Sequence, residues 1–414
     1  RRQRQMCIRD SLRLERKNKF ENGQSVCLIC DVECNFSRTK ELYFSVDDKY
    51  ADWLTDDVYD AFLVAAIYPA MYYNEPIEIS GLVSKKIYHN VVNYVMAIVK
   101  DFAPSLHKVP IIVEGFKNAS KNKKLHIGTG FSGGVDSFST LQDRFFDTDD
   151  LDYKIDTLFF FHVGQYGDVK NPRTWERANN RFEITRSFAN TIGTRAIMMN
   201  TNLFDFYLPD WEYKAGVLNR ITSVLAFQKS LKRYYISNTY TYGEMIDLAR
   251  DRVFLEEFAD PYIMPLLSPE NLEIVCDGAQ YKRSEKTQRI VNNKLAQTHL
   301  NVCVNSSNEH VSATNCGICT KCLRTMMALD SIDQLDQFRT VFDIRQWKKH
   351  AWEYKCLQVY KYNTDGFARD NVDFANKHGK SLPFRPFAYL VVYVNWLVRL
   401  PFRVIRKIGT LYKK

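Results

Sequence analysis

The sequence predicts an α/β protein built on a doubly wound parallel sheet, with a smaller N-terminal α+β domain and a C-terminal helical segment that carries a metal site. Its 414 residues exceed what one hydrophobic core usually accommodates, so more than one domain is expected. From residue 125 onward, strand-like and helix-like segments alternate, which is typical of a parallel sheet covered by helices on both faces. The run DTLFFFHVG, residues 156–164, is apolar almost throughout, as in a strand buried on both faces.

Four regions are predicted along the chain. They are a basic tail over 1–20, an α+β domain over 21–120, the main α/β domain over 121–345, and an extension over 346–414 that ends in a basic amphipathic tail. The polar stretch KNASKNKK is the predicted linker before the main domain. In the N-terminal domain, apolar patterns predict strands over 25–34, 40–46, 75–81 and 108–116, and helices over 58–73 and 84–102.

The main domain begins with alternating elements. Strands are predicted over 125–131, 156–164, 194–202 and 232–240, and helices from 136 onward, over 172–192 and over 215–231. In such a sheet, ligands bind beyond the carboxyl ends of the strands. The glycine-rich stretch after the first of these strands is therefore the predicted ligand site.

The charge of the chain lies mainly at its two ends. The net charge is +9, yet residues 1–20 carry eight Lys or Arg against two acids, and residues 385–414 carry seven against none. The rest of the chain is mildly acidic, which argues against nucleic acid as a partner. The N-terminal end is interpreted as a solvated tail. The C-terminal end is interpreted as a helix packed on its own domain or on a partner, with peripheral membrane contact as the alternative.

Neither a secretion signal nor a membrane-spanning run is predicted. The first twenty residues contain no apolar stretch of the signal-peptide kind, and no run approaches the roughly 18 apolar residues that a spanning helix needs. The ten cysteines are clustered rather than spread along the chain as in a secreted disulfide framework. A cytoplasmic location is expected.

The stretch GTGFSGGVDSFSTL, residues 128–141, has the composition of a phosphate-binding loop. Gly133 and Gly134 let a phosphate approach the main chain, and Ser132 and Ser137 add hydroxyl donors. Asp136 would repel a phosphate unless a cation lay between them, so its expected role is to hold Mg²⁺. The stretch matches neither a Walker loop nor a dinucleotide fingerprint. The alternative is a helix N-cap at Ser132 or Asp136 after a glycine turn.

The order Ser-Gly-Gly-Val-Asp-Ser over residues 132–137 resembles the signature of the PP-loop family, the N-type ATP pyrophosphatases. The resemblance implies a Rossmann-like domain that uses ATP to adenylylate a substrate oxygen, releases pyrophosphate, and lets a nucleophile displace AMP. It also implies that the loop cradles the phosphates and that Asp136 helps to position Mg²⁺. The nucleotide is expected to contact Phe131, Ser132, Gly133, Gly134, Val135, Asp136, Ser137, His162 and Gly164.

Four cysteines near residue 316 have the spacing of a metal site. Cys303, Cys316, Cys319 and Cys322 follow the pattern C-x12-C-x2-C-x2-C, which lets four thiolates converge on a tetrahedral Zn²⁺. A redox pair and buried free cysteines are the alternatives. Lys321 and Arg324 are expected to offset the negative charge of a zinc tetrathiolate. The N-terminal cysteines Cys27, Cys30 and Cys34 are interpreted as core or surface residues.

A PP-loop followed by four zinc cysteines resembles the 7-cyano-7-deazaguanine synthases, which convert a ring carboxylate to an amide and then a nitrile with ATP and ammonia. The resemblance covers roughly residues 125–330 and leaves the N-terminal domain and the tail outside it. The added domain is similar to that of divergent relatives in bacterial defence or surface-polysaccharide gene clusters. The substrate is therefore more open than the chemistry.

Further candidate residues lie between the loop and the cysteines. Lys282, Arg283 and Lys286 are expected to stabilise phosphate or substrate charge, the alternative being a solvated helix start with Ser284 as N-cap. The expected catalytic set is Asp136, Ser137, Lys282, Arg283 and Lys286. His162, Gly164 and Gln165 end one strand and are candidates for adenine or ribose contact. Other strand-end candidates are Asn200, Asn202, Ser237, Asn238 and Tyr240, and Glu244 and Asp247 are candidates for acid–base roles.

The leading functional hypothesis is an ATP-dependent carbon–nitrogen ligase that produces AMP and pyrophosphate. Its partners would be ATP and a small carboxylate or a protein that carries one, with a second copy of the chain as a further candidate. One alternative is a tRNA sulfur transferase, which requires a persulfide-competent cysteine near the loop and a basic face. Another is a non-catalytic nucleotide-binding subunit of a multi-protein bacterial system.

Overall fold

The computed structural model describes residues 6–16, 25–34, 39–118, 125–163, 172–206, 216–250, 259–303 and 314–411. Contacts along the chain divide it into two units. The first comprises Arg1–Ser132 and Asp143–Gln280, and the second comprises Gly133–Gln142 and Tyr281–Lys414. The units differ from the predicted domains, because the chain changes unit inside the glycine-rich motif.

A ten-stranded sheet forms the centre of the first unit. Its strands are β1 (Met6–Arg16), β2 (Ser25–Glu33), β3 (Glu41–Asp47), β4 (Ile77–Ser84), β5 (Ile111–Lys117), β6 (His126–Gly130), β7 (Thr157–His162), β8 (Arg195–Thr201), β9 (Leu231–Ser237) and β10 (Glu273–Asp277). Their spatial order is β10-β9-β6-β7-β8-β3-β2-β1-β4-β5. Six of the nine neighbouring pairs are parallel, so the predicted α/β class with a mostly parallel sheet is confirmed.

The strand order places β6 at a branching point. From β6 the chain adds β7 and β8 on one side of the sheet and β9 and β10 on the other. Open α/β sheets bind ligands at such a switch point, outside the carboxyl ends of the strands. The glycine-rich loop follows directly after Gly130, the last residue of β6.

The strands of the predicted N-terminal domain belong to this same sheet. β3 pairs antiparallel with β8, with Phe44 opposite Thr201 and Ser45 opposite Asn200. The sequence patterns located these strands to within a few residues, but alternation within a strand carries no information about which strand it pairs with. A boundary near residue 120 therefore does not separate two sheets.

The prediction of a solvated basic tail is wrong for Met6–Arg16. This segment is β1, which pairs with β2 on one edge and β4 on the other, and Met6, Cys7 and Ile8 are buried. Its charge is balanced across the strands, because the Arg13 guanidinium lies 3.0 Å from a carboxylate oxygen of Asp31 and 2.9 Å from one of Glu41. The count of charges took no account of the apolar residues between them, which pack in the strand.

The helices of the first unit are α1 (Asp60–Tyr73), α2 (Lys85–Asn90), α3 (Met96–Phe102), α5 (Pro172–Thr191), α6 (Leu203–Phe206), α7 (Gly216–Leu225), α8 (Tyr242–Arg250) and α9 (Asp260–Ile263). A π-helical turn, Val91–Val95, joins α2 to α3. Twelve consecutive residues of α1, Asp60–Met71, are buried, which accounts for its uniformly apolar sequence. The main core contains residues of α1, α7 and most strands. Cys30 belongs to it, whereas Cys27 lies in a separate apolar cluster, so their interpretation as core residues on opposite faces is confirmed.

The second unit is helical, as predicted for the C-terminal segment. Its helices are α4 (Val135–Leu141), α10 (Arg283–Arg289), α11 (Lys294–His299), α12 (Thr320–Ser331), α13 (Ile344–Lys361), α14 (Gly366–Lys377) and α15 (Arg385–Leu411). α10 packs against α4, α12 and α14, and α13 packs against α15. Among the described residues, no helix is both long and apolar enough to cross a membrane.

Candidate functional site

The glycine-rich loop enters α4 without a side-chain cap. Gly134 is the N-cap residue of the helix, so the alternative of a cap at Ser132 or Asp136 is wrong. Gly133 has a φ of +74°, a conformation that favours glycine, and its carbonyl accepts a hydrogen bond of 2.7 Å from the Asn301 N–H. Ser137 Oγ donates to the Gly134 carbonyl at 3.0 Å. The loop is thus held by backbone contacts within the second unit.

Asp136 lies beside two cations of α10. The Arg283 guanidinium donates a hydrogen bond to Asp136 Oδ2, and Lys286 Nζ lies 3.6 Å from Asp136 Oδ1. Lys286 is fully buried, and the side chain of Arg283 is 10% exposed. Two of the three predicted cations therefore meet the acid of the motif, and this trio carries a net charge of +1. A buried ammonium without its carboxylate partner would be strongly unfavourable, so Asp136 also stabilises the fold.

Contacts with α14 hold α10 in place. Ser284 donates from its N–H at 2.9 Å and from its hydroxyl at 2.6 Å to the carboxylate of Asp370. Arg283 and Lys286 are three positions apart on the helix, so both project toward Asp136. Lys282 is the N-cap residue, and its N–H donates to Glu285 at 2.9 Å, so Ser284 does not have the capping role considered as an alternative.

Arg324 of α12 adds a third positive charge to this region. Its guanidinium lies over the ring of Phe367, 3.6 Å from the centroid. Burial lowers the pKa of Arg324, and the charge of Arg283 lowers it further. Within the described part of the chain, neither Arg283 Nε nor Arg324 Nε has a hydrogen-bond partner. Asp365, which caps α14, raises the pKa of Arg324, and the carboxylate of Asp370 accepts hydrogen bonds from Ser284.

The strand-end candidates of the first unit have structural partners. His162, at the end of β7, is fully buried and shares a 2.9 Å hydrogen bond through Nδ1 with Asn200 Oδ1. Burial lowers the pKa of His162, and the bond to Asn200 offsets part of this effect. Asn238 donates to Asp260 at 2.9 Å. The structure thus pairs His162 with Asn200, as their neighbouring strand ends suggest.

The other predicted residues have mainly local contacts. Phe131 is buried and stacks on Phe188, and Val135 is buried in the first turn of α4. Ser132 is exposed. Glu244 caps the start of α8 by accepting from the Thr241 N–H at 2.8 Å, and Asp247 forms an exposed ion pair with Arg250. Gly164 and Gln165 lie outside the described residues.

The four predicted metal ligands converge. The Sγ atoms of Cys303, Cys316, Cys319 and Cys322 all lie within 4.8 Å of one another, so they could hold a metal ion. The Sγ–Sγ separation is 3.9 Å for Cys316 and Cys322 and 3.4 Å for Cys319 and Cys322. Tetrahedral zinc with Zn–S bonds of about 2.3 Å needs about 3.8 Å between sulfurs, so these cysteines fit the ion.

Without a metal ion, the surroundings of the cluster disfavour the thiolate forms of its cysteines. The pKa of the Cys322 thiol is raised, first by its hydrogen bond with the Cys319 thiol and then by burial, and burial also raises the pKa of Cys316. A divalent cation reverses this effect because it stabilises the thiolates. The Cys319 N–H points at Cys316 Sγ, 3.4 Å away.

One residue that sequence reasoning missed, Asn315, helps to bring the cysteines together. Asn315 is fully buried and accepts hydrogen bonds from the Val302 N–H at 2.8 Å and the Cys303 N–H at 3.1 Å. Its amide nitrogen donates to the carbonyls of Leu300 and Val341 at 2.8 and 2.9 Å. The only sequence signal was an asparagine next to Cys316. The segment that Asn315 holds, residues 301–303, also contacts the glycine-rich loop, because the Asn301 N–H donates to the Gly133 carbonyl. One short segment therefore contacts both the loop and the cysteine cluster.

Gly317 completes the bend between the second and third cysteines. Its φ is +70°, and a Cβ there would lie 2.9 Å from Cβ of Gln346. Both the backbone conformation and the close approach require glycine. Glycine at this position therefore lets the chain turn between Cys316 and Cys319, where the cysteines converge.

Comparisons with protein-family models, with curated proteins and with solved structures gave no match. The functional argument therefore depends on the motif, its charged neighbours and the cysteine cluster.

Proposed function

We propose that this protein is an ATP- and Mg²⁺-dependent enzyme of the PP-loop type that adenylylates a substrate carboxylate, releases pyrophosphate and directs formation of an amide or a nitrile. The observation that carries the proposal is the contact of Asp136, the acid of the Ser-Gly-Gly-Val-Asp-Ser motif, with the buried Lys286 and the largely buried Arg283. Support comes from the net positive charge of this trio and from the Nε atoms of Arg283 and Arg324, which have no hydrogen-bond partner among the described residues. The proposed chemistry is similar to that of the 7-cyano-7-deazaguanine synthases.

Charge balance explains why an acid of the motif lies beside two cations of α10. Without a ligand, Asp136 neutralises part of the charge of Arg283 and Lys286. Bound ATP would supply negative charge to Arg283 and Lys286 through its phosphates, and Asp136 would hold Mg²⁺, which would supply a positive partner for the carboxylate. The cations then stabilise the charge that develops on pyrophosphate as the bond between the α and β phosphates breaks. Arg283 and Lys286 are the residues expected to perform this role.

The cysteine cluster is proposed to hold structural Zn²⁺. Four thiolate ligands leave no open coordination position, so the ion would not contact the substrate. Its effect on the reaction would be indirect, through the segment that Asn301 and Asn315 connect to Gly133 and to the cysteines.

The proposal is tested with the full chain, ATP, Mg²⁺ and 7-carboxy-7-deazaguanine, with and without ammonia. AMP and pyrophosphate are measured, and hydroxylamine is used to trap an acyl adenylate as a hydroxamate independently of the natural nitrogen donor. We expect Asp136→Asn to lower AMP formation by about a hundredfold or more, as for loss of one electrostatic contact in a transition state. The matched control is Asp149→Asn, because Asp149 is a fully exposed acid outside the candidate site.

Three outcomes would contradict the proposal. Formation of ADP would place bond cleavage between the β and γ phosphates. Equal rates for Asp136→Asn and the parent chain would remove the motif from the chemistry. ATP binding without turnover of any carboxylate offered would favour the nucleotide-binding subunit. Circular dichroism of each variant separates lost activity from lost folding.

A further inference from the structure

The outward side of the C-terminal helix is apolar and exposed. α15 packs on the rest of its unit through Ala388, which is buried, and through the half-buried Val391 and Val392. We call the opposite side the outer face of α15, and define it by Leu390, Tyr393, Val394, Leu397 and Val398. These side chains are 44–62% exposed. An apolar patch of this kind usually marks an interaction surface.

Aromatic residues next to the outer face enlarge the patch. Tyr393 stacks on Trp396, with ring centroids 6.1 Å apart, and Phe387 lies 6.1 Å from Trp352 of α13. Trp352 is 55% exposed and follows two exposed lysines, Lys348 and Lys349, on the same helix. Tryptophan and tyrosine beside cations are typical of surfaces that sit at the boundary between lipid and water.

The sequence extends both properties along the helix. Residues 385–414 contain seven Arg or Lys and no Asp or Glu. Beyond the outer face, apolar residues continue at the same spacing of three to four, namely Leu400, Val404, Ile408 and Leu411. The cations of the same stretch, Arg399, Arg403, Arg406 and Lys407, fall at other positions of the helical repeat. The helical repeat of the sequence therefore predicts an apolar stripe on one side of the helix and cations on the other side.

We propose that the outer face of α15 docks on an anionic lipid surface, with the helix lying in the plane of the membrane. A spanning arrangement is excluded for the described helices by their apolarity and length. A second copy of the chain is a poor occupant, because its residues 385–414 carry the same seven cations and no acid, and so offer no complementary charge. An anionic bilayer offers both an apolar layer for the outer face and negative charge for the cations of the same helix.

The test is co-sedimentation of the full chain with vesicles. We expect binding to vesicles that contain phosphatidylglycerol, little binding to vesicles of phosphatidylcholine alone, and weaker binding at high salt. Leu390→Glu and Leu397→Glu should each weaken binding about tenfold, because a leucine side chain that would be buried in the lipid is replaced by an acid that the anionic lipid repels. The matched control is Leu151→Glu, which makes the same substitution at a leucine of the first unit that is 79% exposed. It should leave vesicle binding unchanged.

A second variant separates charge from apolarity. Replacing Arg399, Arg403 and Arg406 by glutamine keeps the apolar stripe and should abolish the preference for phosphatidylglycerol. Failure to sediment with anionic vesicles, or equal loss with Leu151→Glu, would overturn the proposal. Sedimentation velocity tests the alternative that a second copy of the chain covers the outer face. If the parent chain forms a dimer that Leu390→Glu dissociates, and does not bind vesicles, the surface is a dimer interface and the proposal is wrong.

Discussion

Asn315→Ala removes a fully buried side chain that makes four hydrogen bonds to the backbone around the cysteine cluster. The Val302 and Cys303 N–H groups, both buried, lose their acceptor. A buried polar group left without a partner costs about 1–3 kcal/mol. Because the Val341 carbonyl keeps its bond from the Asn315 backbone, we expect a total loss of about 3–5 kcal/mol in the free energy of unfolding.

The same change should weaken metal binding. The Asn315 side chain orders the segment that contains Cys303 by accepting a hydrogen bond from the Cys303 N–H. In Asn315→Ala, part of the free energy of metal binding must be spent on ordering this segment. Ordering one residue requires about 1–2 kcal/mol, which corresponds to a metal affinity about 5–30 times weaker. Zinc affinity is measured by competition with a chromophoric chelator, and stability by urea unfolding.

Asn202→Ala provides the matched control. Asn202 is also buried, accepts from the Tyr43 N–H at 3.0 Å and donates to the Glu41 carbonyl at 2.7 Å, but in the first unit. It should lower stability and leave zinc affinity unchanged. The reasoning is refuted if Asn315→Ala unfolds like the parent chain, or if both variants bind zinc as tightly as the parent chain.

Metal binding should also affect the nucleotide, because the Asn301 N–H in the same segment donates to Gly133 of the loop at 2.7 Å. Chelation of the metal is expected to weaken ATP binding, and by linkage ATP should strengthen metal binding by the same factor. Isothermal titration of ATP into metal-loaded and chelator-treated protein measures this factor. Identical ATP affinities of the metal-loaded and chelator-treated protein would show that the contact between Asn301 and Gly133 does not couple metal binding to ATP binding.

Two further predictions concern single positions. Gly133→Ala and Gly193→Ala place a side chain at φ values of +74° and +71°, so each should lower the free energy of unfolding by about 1–2 kcal/mol. Only Gly133→Ala should weaken ATP binding, and equal ATP affinities would contradict a role for the loop. Burial lowers the pKa of His162 below its ordinary 6.5, so the unfolded chain binds the proton first as the pH falls. The contribution of His162 to stability is therefore present above about pH 6.5 and is lost below it. Unfolding of the parent chain and of His162→Gln across this range should differ in pH dependence, and parallel curves would refute the assignment.

The sequence predicted local features well. The described strands β6 to β9 overlap their predicted ranges, with ends that differ by at most three residues, and the spacing of the four cysteines predicted a cluster that the structure contains. β10, Glu273–Asp277, was not predicted, since five residues with two acids carry too little pattern to identify a strand. The basic tail was wrong for β1 because a count of charges ignores how alternating apolar residues pack.

The sequence by itself determined most of the elements, the glycine-rich loop and the four cysteines that converge in the structure. These depend on a few neighbouring residues, through backbone conformation, apolar spacing and ligand spacing. Only the tertiary structure decided that Asp136 meets Arg283, 147 positions away, that Asn315 fixes Cys303, and that β1 completes the sheet. Such contacts depend on which surfaces pack together, and packing is a property of the whole chain rather than of any local pattern.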